Sequence, residues 1–416
     1  MDRSTMGRAV AVALAGLMAG GACTSSTAAD RPMRTIADRR PAGGGNVVVE
    51  WNSLARRATA AAPVDPPRES RTLAMVQGAV LDALAGLAGR DASEEAAVAV
   101  AAHDVLAAVY PPQQASLDEA ERATLTGVPD GPEEDAGAAA GHRAAQRMLD
   151  RRAGDHADDA ATYPADPAPG RWRPTPPAGA PALDPGWGRV TPFVLTRASQ
   201  FRPPPPPALT SRSYSRDFAE IRAVGSKDSG VRTAGQTEAA RFWTATAPQE
   251  WNQLVGPLAA AAQLSRLDTA RLFAQLNFAE ADAAIAAWDA KFHYGQWRPV
   301  TGIREAAADG NPETAPDPGW TPLLATPPFP DYVCGHSSLG GAAEAVFERW
   351  FGRRPGVELT LTSAALPGVT HRYPSFAAIG DEVVNARVWG GVHWRASCEA
   401  GRGLGRHVGR YVTTRP

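Results

Sequence analysis

The chain has 416 residues, which is long enough to bury a hydrophobic core without metal ions or disulfide bonds as braces. Its 42 basic and 44 acidic residues nearly cancel, and no long run of one sign occurs. This balance argues against a nucleic-acid groove or a polybasic membrane patch, so the expected partners are small molecules.

Residues 1–29 have the layout of a secretory signal. Arg3 and Arg8 precede an apolar stretch from Ala9 to Ala22, and small residues follow. This stretch is shorter than the roughly 20 apolar residues of a transmembrane helix. We therefore predict an exported protein, extracellular or in the cell envelope, without a transmembrane span. Cys23 also allows a lipoprotein anchor, although the usual aliphatic residue three positions earlier is missing.

Most of the remaining chain has helical periodicity. Apolar residues recur every three or four positions, and β-branched and polar residues do not alternate over the length of a strand. We expect an all-α fold of packed helical bundles, with strands only as short pieces. The predicted helices are 47–61, 72–87, 96–110, 117–126, 136–152, 213–224, 237–246, 248–262, 269–294, 335–351 and 376–404.

Prolines separate two helical halves. They are dense between Tyr163 and Leu209 and end in a run of five, Pro203 to Pro207, which excludes helix and favours extended polyproline geometry. Since surface apolar stripes mark subunit interfaces as readily as internal packing, the oligomeric state stays open. The predicted segments are a flexible leader over 30–46, an N-terminal helical bundle over 47–162, a proline-rich connection over 163–209 and a C-terminal helical domain over 210–416.

Two basic residues at the end of the longest predicted segment suggest an anion clamp. Lys291 and Arg298 are seven residues apart, so a single helix would carry both on one face. The guanidinium group of Arg298 suits two oxygen atoms, and Pro299 would end the helix just beyond the pair. Such pairs are also typical of the solvated face of an amphipathic helix, so other motifs must support the clamp.

Two further motifs lie nearer the C-terminus. Gly335 and His336 follow the turn-like residues 329–334 and begin a helix whose exposed amides and positive dipole end would favour an anion. Arg387 and His393 are six residues apart, with two glycines between them that allow close approach of a neighbouring group. The C-terminal half therefore concentrates the residues of chemical interest.

The order of these motifs resembles the signature of a known superfamily. Lys-x6-Arg-Pro, then Gly-His, then Arg-x5-His is similar to the pattern of the vanadium haloperoxidases and type-2 phosphatidic acid phosphatases. The resemblance extends from Trp288 to Gly405, while the N-terminal half matches only as generic helices. Further residues look like the bacterial haloperoxidase-like subgroup, namely Tyr373, Ser375, Phe376 and Glu382.

The resemblance implies a role for each motif residue. Three cations, Lys291, Arg298 and Arg387, would neutralise the oxygen atoms of vanadate or of phosphate in its place. The backbone amide of Gly335 would donate one hydrogen bond. His393 would be the ligand to vanadium.

Three more residues acquire implied roles. His336 would act as acid or base beside the apical oxygen, because an unperturbed imidazole has a pKa near neutrality. Trp288 and Phe329 resemble the halide-side residues of vanadium chloroperoxidases, although packing in an ordinary aromatic core is an alternative.

The resemblance implies an enzyme that uses hydrogen peroxide to oxidise halide at the bound vanadate and so halogenates an organic acceptor. With phosphate in place of vanadate, the same residues imply an exported acid phosphatase in which His393 attacks phosphorus and His336 protonates the leaving group. A helical protein that binds an anion without catalysis is the third possibility. The sequence identifies neither the halide nor the organic substrate.

Two positions depart from the family pattern. Cys334 stands where the family usually has serine, and a thiol is the poorer hydrogen-bond donor. Ser397 stands four residues after His393, on the same predicted helical face, where the family usually has an aspartate that orients the imidazole. Because Cys398 follows directly, we predict a disulfide between Cys334 and Cys398 near the site, with two buried, unreactive thiols as the alternative.

Overall fold

The computed structural model describes residues 45–62 and 65–415. The predicted secretory signal, Cys23 and nearly all of the predicted leader lie outside these residues. Within the described residues, no helix is both long enough and apolar enough to cross a membrane.

The described residues form α-helices and one short antiparallel hairpin, which confirms the predicted all-α class with strands as short pieces. The helices are α1 (Val47–Ala61), α2 (Pro66–Ala85), α3 (Glu94–Val109), α4 (Gln114–Leu125), α5 (Pro132–Arg152), α6 (Arg212–Val224), α7 (Ala234–Phe242), α8 (Ala247–Trp251), α9 (Val255–Ala261), α10 (Arg266–Tyr294), α11 (Pro299–Arg304), α12 (Gly335–Phe351), α13 (Phe376–Trp389) and α14 (Arg395–Val412). The hairpin pairs β1 (Leu359–Thr362) with β2 (Thr370–Tyr373).

Polar side chains fix the starts of several helices. Asn46, Asp65, Ser93 and Ser265 each precede a helix, and each side chain accepts a hydrogen bond from a backbone amide of the first turn. Such caps satisfy amides that have no acceptor within the helix. The start of α1 at Val47 confirms the sequence prediction for that helix.

Two predicted helices are interrupted in the structure. The segment 248–262 forms α8 and α9, separated by a 3-10 turn at Asn252–Leu254. The segment 376–404 forms α13 and α14, because Gly391 between them adopts a left-handed φ of 74° that ends helical geometry. This second interruption leaves His393 in the turn between two helices.

One hydrophobic core runs through both helical halves, from Val47 to Val412. Helix α10 is at its centre, with buried residues on all sides, as expected for a helix that solvent does not reach. It packs against α2 of the N-terminal half and against α12 and α14 of the C-terminal half. The two halves therefore share a core.

The proline-rich connection contains no α-helix between Tyr163 and Leu209, as predicted. It runs close to the end of α10, where the hydroxyl of Tyr294 donates to the carbonyl of Pro203 over 2.6 Å. The hydroxyl of Tyr332 donates to the carbonyl of Pro204 over 2.7 Å. The connection is thus fastened beside the segment that precedes α12.

Candidate functional site

Lys291 lies in the last turn of α10 and is fully buried. Its Nζ donates to the carbonyls of Pro330 at 2.9 Å and Asp331 at 3.1 Å. Burial, followed by the charge of Arg298, lowers the pKa of Lys291 to about 7. The ammonium group therefore loses its proton near neutral pH.

Arg298 does not share a helix with Lys291, so that prediction was wrong. Helix α10 ends at Tyr294 because Gly295 adopts a left-handed φ of 60°. Arg298 is the residue before α11, and Pro299 begins that helix rather than ending one. Proline suits this first position because the first turn needs no amide donor there.

The turn between the two helices nevertheless brings both cations together. The ring centroid of Phe329 lies 4.6 Å from Nζ of Lys291 and 4.7 Å from Cζ of Arg298. A ring between two cations interacts favourably with each through its electron-rich face. The two cations converge through the turn at Gly295 rather than through helical spacing.

The guanidinium group of Arg298 is fully buried, and one of its nitrogens has no hydrogen-bond partner among the described residues. Its Nε donates to the carbonyl of Phe329, and its Nη1 to the carbonyl of Val392, both over 2.7 Å. Nη1 also lies 3.1 Å from Nε2 of His393. Nη2 has no partner among the described residues. Burial lowers the pKa of Arg298 to about 10, so the group stays charged at neutral pH.

Arg387 lies in the last turn of α13 and is also buried. Its Nη1 donates to the carbonyl of Trp243 over 2.7 Å, while its Nε has no partner among the described residues. Burial lowers the pKa of this guanidinium group. The indole of Trp243 donates to Glu382 over 2.9 Å, and the hydroxyl of Tyr373 donates to the same oxygen over 2.6 Å. Two residues of the haloperoxidase-like pattern thus hold the segment that supports Arg387.

The other two residues of that pattern set the start of α13. Ser375 caps the helix, its side chain accepting from the amide of Ala378, and Phe376 is the first residue of the helix and fully buried. Their role is to place the helix that carries Arg387.

Gly335 begins α12, and the preceding Cys334 makes no side-chain capping bond. The amides of the first helical turn lack acceptors within the helix, so they are available to an anion. A β-carbon on Gly335 would lie 3.3 Å from the ring of Trp288. Glycine is therefore the residue that fits between the aromatic wall and the anion.

His336 lies one residue further along and donates from Nε2 to the carbonyl of Ala245 over 3.0 Å. A carbonyl only accepts, so Nε2 carries the proton and Nδ1 has the free lone pair. Burial, followed by the charge of Arg387, lowers the pKa of His336 to about 3. The imidazole is therefore neutral at physiological pH.

His393 lies in the turn before α14 and is buried. Its Nδ1 lies 2.9 Å from Oδ1 of Asp331, a carboxylate that is itself fully buried. Asp331 is not one of the positions of the family pattern, so the motifs did not identify it. The available signal was a single charged residue in the otherwise uncharged segment 329–335.

The predicted position of Ser397 beside His393 on one helical face was wrong. His393 precedes α14, whereas Ser397 lies within it, so the two do not share a helical face. The hydroxyl of Ser397 instead donates to the carbonyl of Asp331 over 3.0 Å.

The predicted disulfide is not formed. Cys334 and Cys398 are free thiols, both fully buried. Burial raises the pKa of Cys398. At Cys334 burial acts in the same direction, but contacts with Cys398 and His393 outweigh it and lower the pKa below the usual range of a thiol.

A pocket opens above these groups. Its polar lining comes from Gly335, His336, Arg387 and His393, while Lys291 and Arg298 are fully buried next to the lining residues Phe329 and His393. The ring centroids of Trp288 and Phe329 lie 5.0 Å apart in its wall. Two wall residues come from the start of α2, so the N-terminal half contributes to a site that the sequence placed in the C-terminal half. The apolar lining residues are Pro66, Pro67, Ala247, Ala284, Trp288, Pro327, Phe329 and Leu339.

The donor set fits a tetrahedral oxyanion such as vanadate or phosphate. A buried donor without a partner costs about 1–3 kcal/mol, and Arg298 Nη2 and Arg387 Nε are two such donors among the described residues. An anion bound in the pocket would satisfy both and would offset the buried positive charge. The free amide of Gly335 adds a third donor.

The C-terminal half of the chain is similar in sequence to vanadium chloroperoxidases. The family model described as "VCPO second helical-bundle domain" matches residues 271–415. The vanadium chloroperoxidase of Curvularia inaequalis is 28% identical over 205 residues, which cover 41% of this chain and 33% of that protein. The matched part thus spans only about a third of the length of this relative.

Solved structures extend the similarity to the N-terminal half. The crystal structure of the first bacterial vanadium-dependent iodoperoxidase has a TM-score of 0.76 and 25% identity, covering 91% of this chain and 98% of that chain. A holo-type bacterial vanadium-dependent chloroperoxidase has a TM-score of 0.65 and 17% identity, covering 90% and 94%. The second match shows a shared fold.

Proposed function

This chain belongs to the vanadium haloperoxidase-like superfamily, and on that premise we propose that it is a vanadate-dependent haloperoxidase that oxidises halide with hydrogen peroxide. The observation that carries the proposal is a pocket lined by Arg387, His336 and His393, with two more buried cations next to its lining residues. Nη1 of Arg298 lies 3.1 Å from Nε2 of His393, and Nζ of Lys291 lies 4.6 Å from the ring centroid of Phe329 in the pocket wall. Nε of Arg387 and Nη2 of Arg298 have no partners among the described residues. The surplus of buried donors is what an oxyanion would satisfy.

In this proposal Lys291, Arg298 and Arg387 hold the vanadate oxygens, and the Gly335 amide donates one further bond. His393 would hold the vanadate through its Nε2 nitrogen. Bound vanadate supplies Lewis-acid activation of hydrogen peroxide without a change in the oxidation state of vanadium. The cations neutralise the charge that the anion brings into a buried site.

His336 is proposed to accept a proton from hydrogen peroxide. Its Nδ1 has the free lone pair, because Nε2 is engaged with the carbonyl of Ala245. Its lowered pKa keeps it neutral and therefore able to accept, and a bound anion would raise that pKa towards the working range.

The aromatic wall is proposed to be the halide side of the pocket. Trp288 and Phe329 are almost fully buried, and they limit the access of water to the reacting atoms. Exclusion of water strengthens every electrostatic interaction inside the pocket.

The test uses metal-free protein reconstituted with orthovanadate. Halogenation of a phenol indicator is measured with hydrogen peroxide and chloride, bromide or iodide, and phosphomonoester hydrolysis is measured without vanadate. We expect vanadate-dependent halogenation that is lost in His393→Ala. Hydrolysis that vanadate inhibits would instead identify a phosphatase, and inactivity in both assays would identify an anion-binding protein without catalysis.

We also propose that the protein is exported, which rests on the charged and apolar pattern of residues 1–29. Sequencing the N-terminus of the protein recovered outside the cytoplasm tests this. An intact Met1 on protein that stays in the cytoplasm would refute it.

A further inference from the structure

The buried carboxylate of Asp331 has no role in the family pattern, yet it lies at the centre of the site. Its Oδ1 is 2.9 Å from Nδ1 of His393 and 3.8 Å from Nη1 of Arg298. Both residues are fully or almost fully buried, as is Asp331 itself. Burying a carboxylate is costly unless donors meet it, so this placement requires a compensating interaction.

The backbone of Asp331 is held in place by residues of the site. Its carbonyl accepts hydrogen bonds from Nζ of Lys291 at 3.1 Å and from Oγ of Ser397 at 3.0 Å. Its amide donates to the carbonyl of Gln296 over 2.9 Å. These three bonds fix the point from which the carboxylate extends towards His393.

Two neighbours of His393 favour the same tautomer. Nη1 of Arg298 lies 3.1 Å from Nε2 and 3.4 Å from Nδ1, and a guanidinium group only donates, so the shorter contact favours Nε2 as the accepting nitrogen. The proton of the neutral ring is then on Nδ1, the nitrogen that faces Asp331. A carboxylate beside Nδ1 stabilises this arrangement, and it keeps the ring lone pair on Nε2, where Arg298 donates in this structure.

We propose that Asp331 is the positioning residue for His393 and replaces the aspartate that the family usually has at the position of Ser397. This inference rests on the proposed function, because the imidazole is being oriented towards vanadium. The two differences from the family pattern are then linked. Asp331 supplies the carboxylate, and Ser397 holds the backbone of Asp331 by donating to its carbonyl.

The two carboxylate oxygens accept no well-aligned hydrogen bond among the described residues, although Nδ1 is close. Nη1 of Arg298 lies within 3.4 Å of both ring nitrogens and so covers the imidazole. An oxyanion that draws the donors of Arg298 to itself frees the ring to turn Nδ1 onto Asp331. Anion binding and completion of the Asp331–His393 bond are therefore coupled in this proposal.

The experiment compares two anions in the wild type and in Asp331→Asn by titration calorimetry. Vanadate forms a bond to the imidazole nitrogen, whereas sulfate binds only through charge and hydrogen bonds. We expect Asp331→Asn to weaken vanadate binding about 10- to 100-fold, as is usual for the loss of a group that orients a metal ligand. Sulfate binding should be unchanged or tighter, because a buried negative charge is removed. Equal weakening of both anions, or of neither, would overturn the proposal.

A second variant and a control separate positioning from simple stability. Asp331→Asn combined with Ser397→Asp returns a carboxylate to the family position and should restore most of the vanadate affinity. Asp282→Asn is the control, since Asp282 is equally buried but accepts only from the backbone amides of residues 193–195. It should lower the melting temperature and leave the ratio of vanadate to sulfate affinity unchanged. If the double variant recovered no vanadate affinity, this would count against the positioning role of Asp331.

The tautomer of His393 gives a test without vanadate. In 15N spectra of metal-free protein, with the signal assigned by its loss in His393→Ala, the wild type should carry the proton on Nδ1. An amide at position 331 can donate as well as accept, so Asp331→Asn should shift the proton towards Nε2. An unchanged tautomer would overturn the inference. Vanadate binding no tighter than sulfate in the wild type would contradict the proposed function, and the tautomer would still decide the role of Asp331.

Discussion

The thiol of Cys334 occupies a position where the family has a hydroxyl. It lies immediately before the first amide of α12, and the hydroxyl of Ser337 donates to its sulfur over 3.4 Å. Contacts with Cys398 and His393 lower the pKa of Cys334 despite its burial. A thiol donates weakly and a thiolate repels an anion, so this residue weakens the oxyanion site relative to serine.

Cys334→Ser is therefore expected to tighten vanadate binding about tenfold, since a hydrogen bond to a charged group contributes about 1.5–3 kcal/mol. Titration calorimetry of metal-free protein measures the dissociation constant. Cys398→Ser is the matched control, because Cys398 is an equally buried neighbouring thiol that lies inside α14 and not beside the first amide of α12. Equal tightening in both variants would show that the effect does not come from a donor to the anion.

Lys291 makes anion binding dependent on pH. Below its pKa of about 7 the ammonium group is charged before and after the anion binds. Above that pKa the free protein has lost the proton, and binding must restore it, so affinity falls as pH rises. Sulfate is a suitable probe because it does not ionise between pH 6 and 9.

The expected result is constant sulfate affinity below pH 7 and a loss approaching about tenfold per pH unit above it. Isothermal titration across this range measures the slope. Lys291→Arg should flatten the profile, because arginine keeps its proton throughout the range. A wild-type affinity that does not change from pH 6 to 9 would refute the assignment of this titration to Lys291.

Two helix ends decide the geometry of the site at the scale of elements. The left-handed residue Gly295 ends α10 and turns the chain so that Arg298 meets Lys291. The left-handed residue Gly391 separates α13 from α14 and leaves His393 in the turn facing Asp331. A continuous helix at either place would carry these side chains in other directions.

Gly391→Ala should destabilise the protein by at least about 2 kcal/mol, because a side chain is strained at positive φ. Its β-carbon would also lie 2.3 Å from the carbonyl oxygen of Gly225. We expect weaker vanadate binding as well, since the turn carries His393. Urea unfolding and calorimetry measure the two effects.

Gly403→Ala is the control for this change. Gly403 lies inside α14 with open space where a β-carbon would be, so alanine should stabilise the helix by about 0.5–1 kcal/mol. If Gly391→Ala were as stable as Gly403→Ala and bound vanadate normally, the turn would not be the element that positions His393.

At the scale of the whole molecule, both helical halves share the larger of two hydrophobic clusters in the described residues. Helix α10 packs against α2 on one side and against α12 and α14 on the other. Pro66 and Pro67 at the start of α2 reach the pocket wall. The N-terminal half, whose sequence carries no part of the motif pattern, therefore supports the site physically.

A chain limited to residues 210–416 is expected to lack a cooperative thermal transition, because it would expose the face of α10 that α2 covers. A chain of residues 45–416 should melt cooperatively and serves as the reference. Circular dichroism during heating measures both. A sharp transition in the shorter chain, together with vanadate binding, would show that the C-terminal half folds alone.

The sequence by itself determined the class of the fold and most of the residues that the pocket gathers. Helical periodicity is a local property, so it predicted α1 and α12 to the residue. The order of the motifs selected the cations and histidines because that order resembles the pattern of the superfamily.

Only the tertiary structure decided how these residues meet. The helix ends at Gly295 and Gly391 depend on backbone conformation, which the apolar spacing on either side does not reveal. The contact of Asp331 with His393 joins segments 62 positions apart, and no local pattern specifies such a pair. The free thiols of Cys334 and Cys398 and the wall residues Pro66 and Pro67 were likewise set by packing across the shared core, where distance in space is independent of distance along the chain.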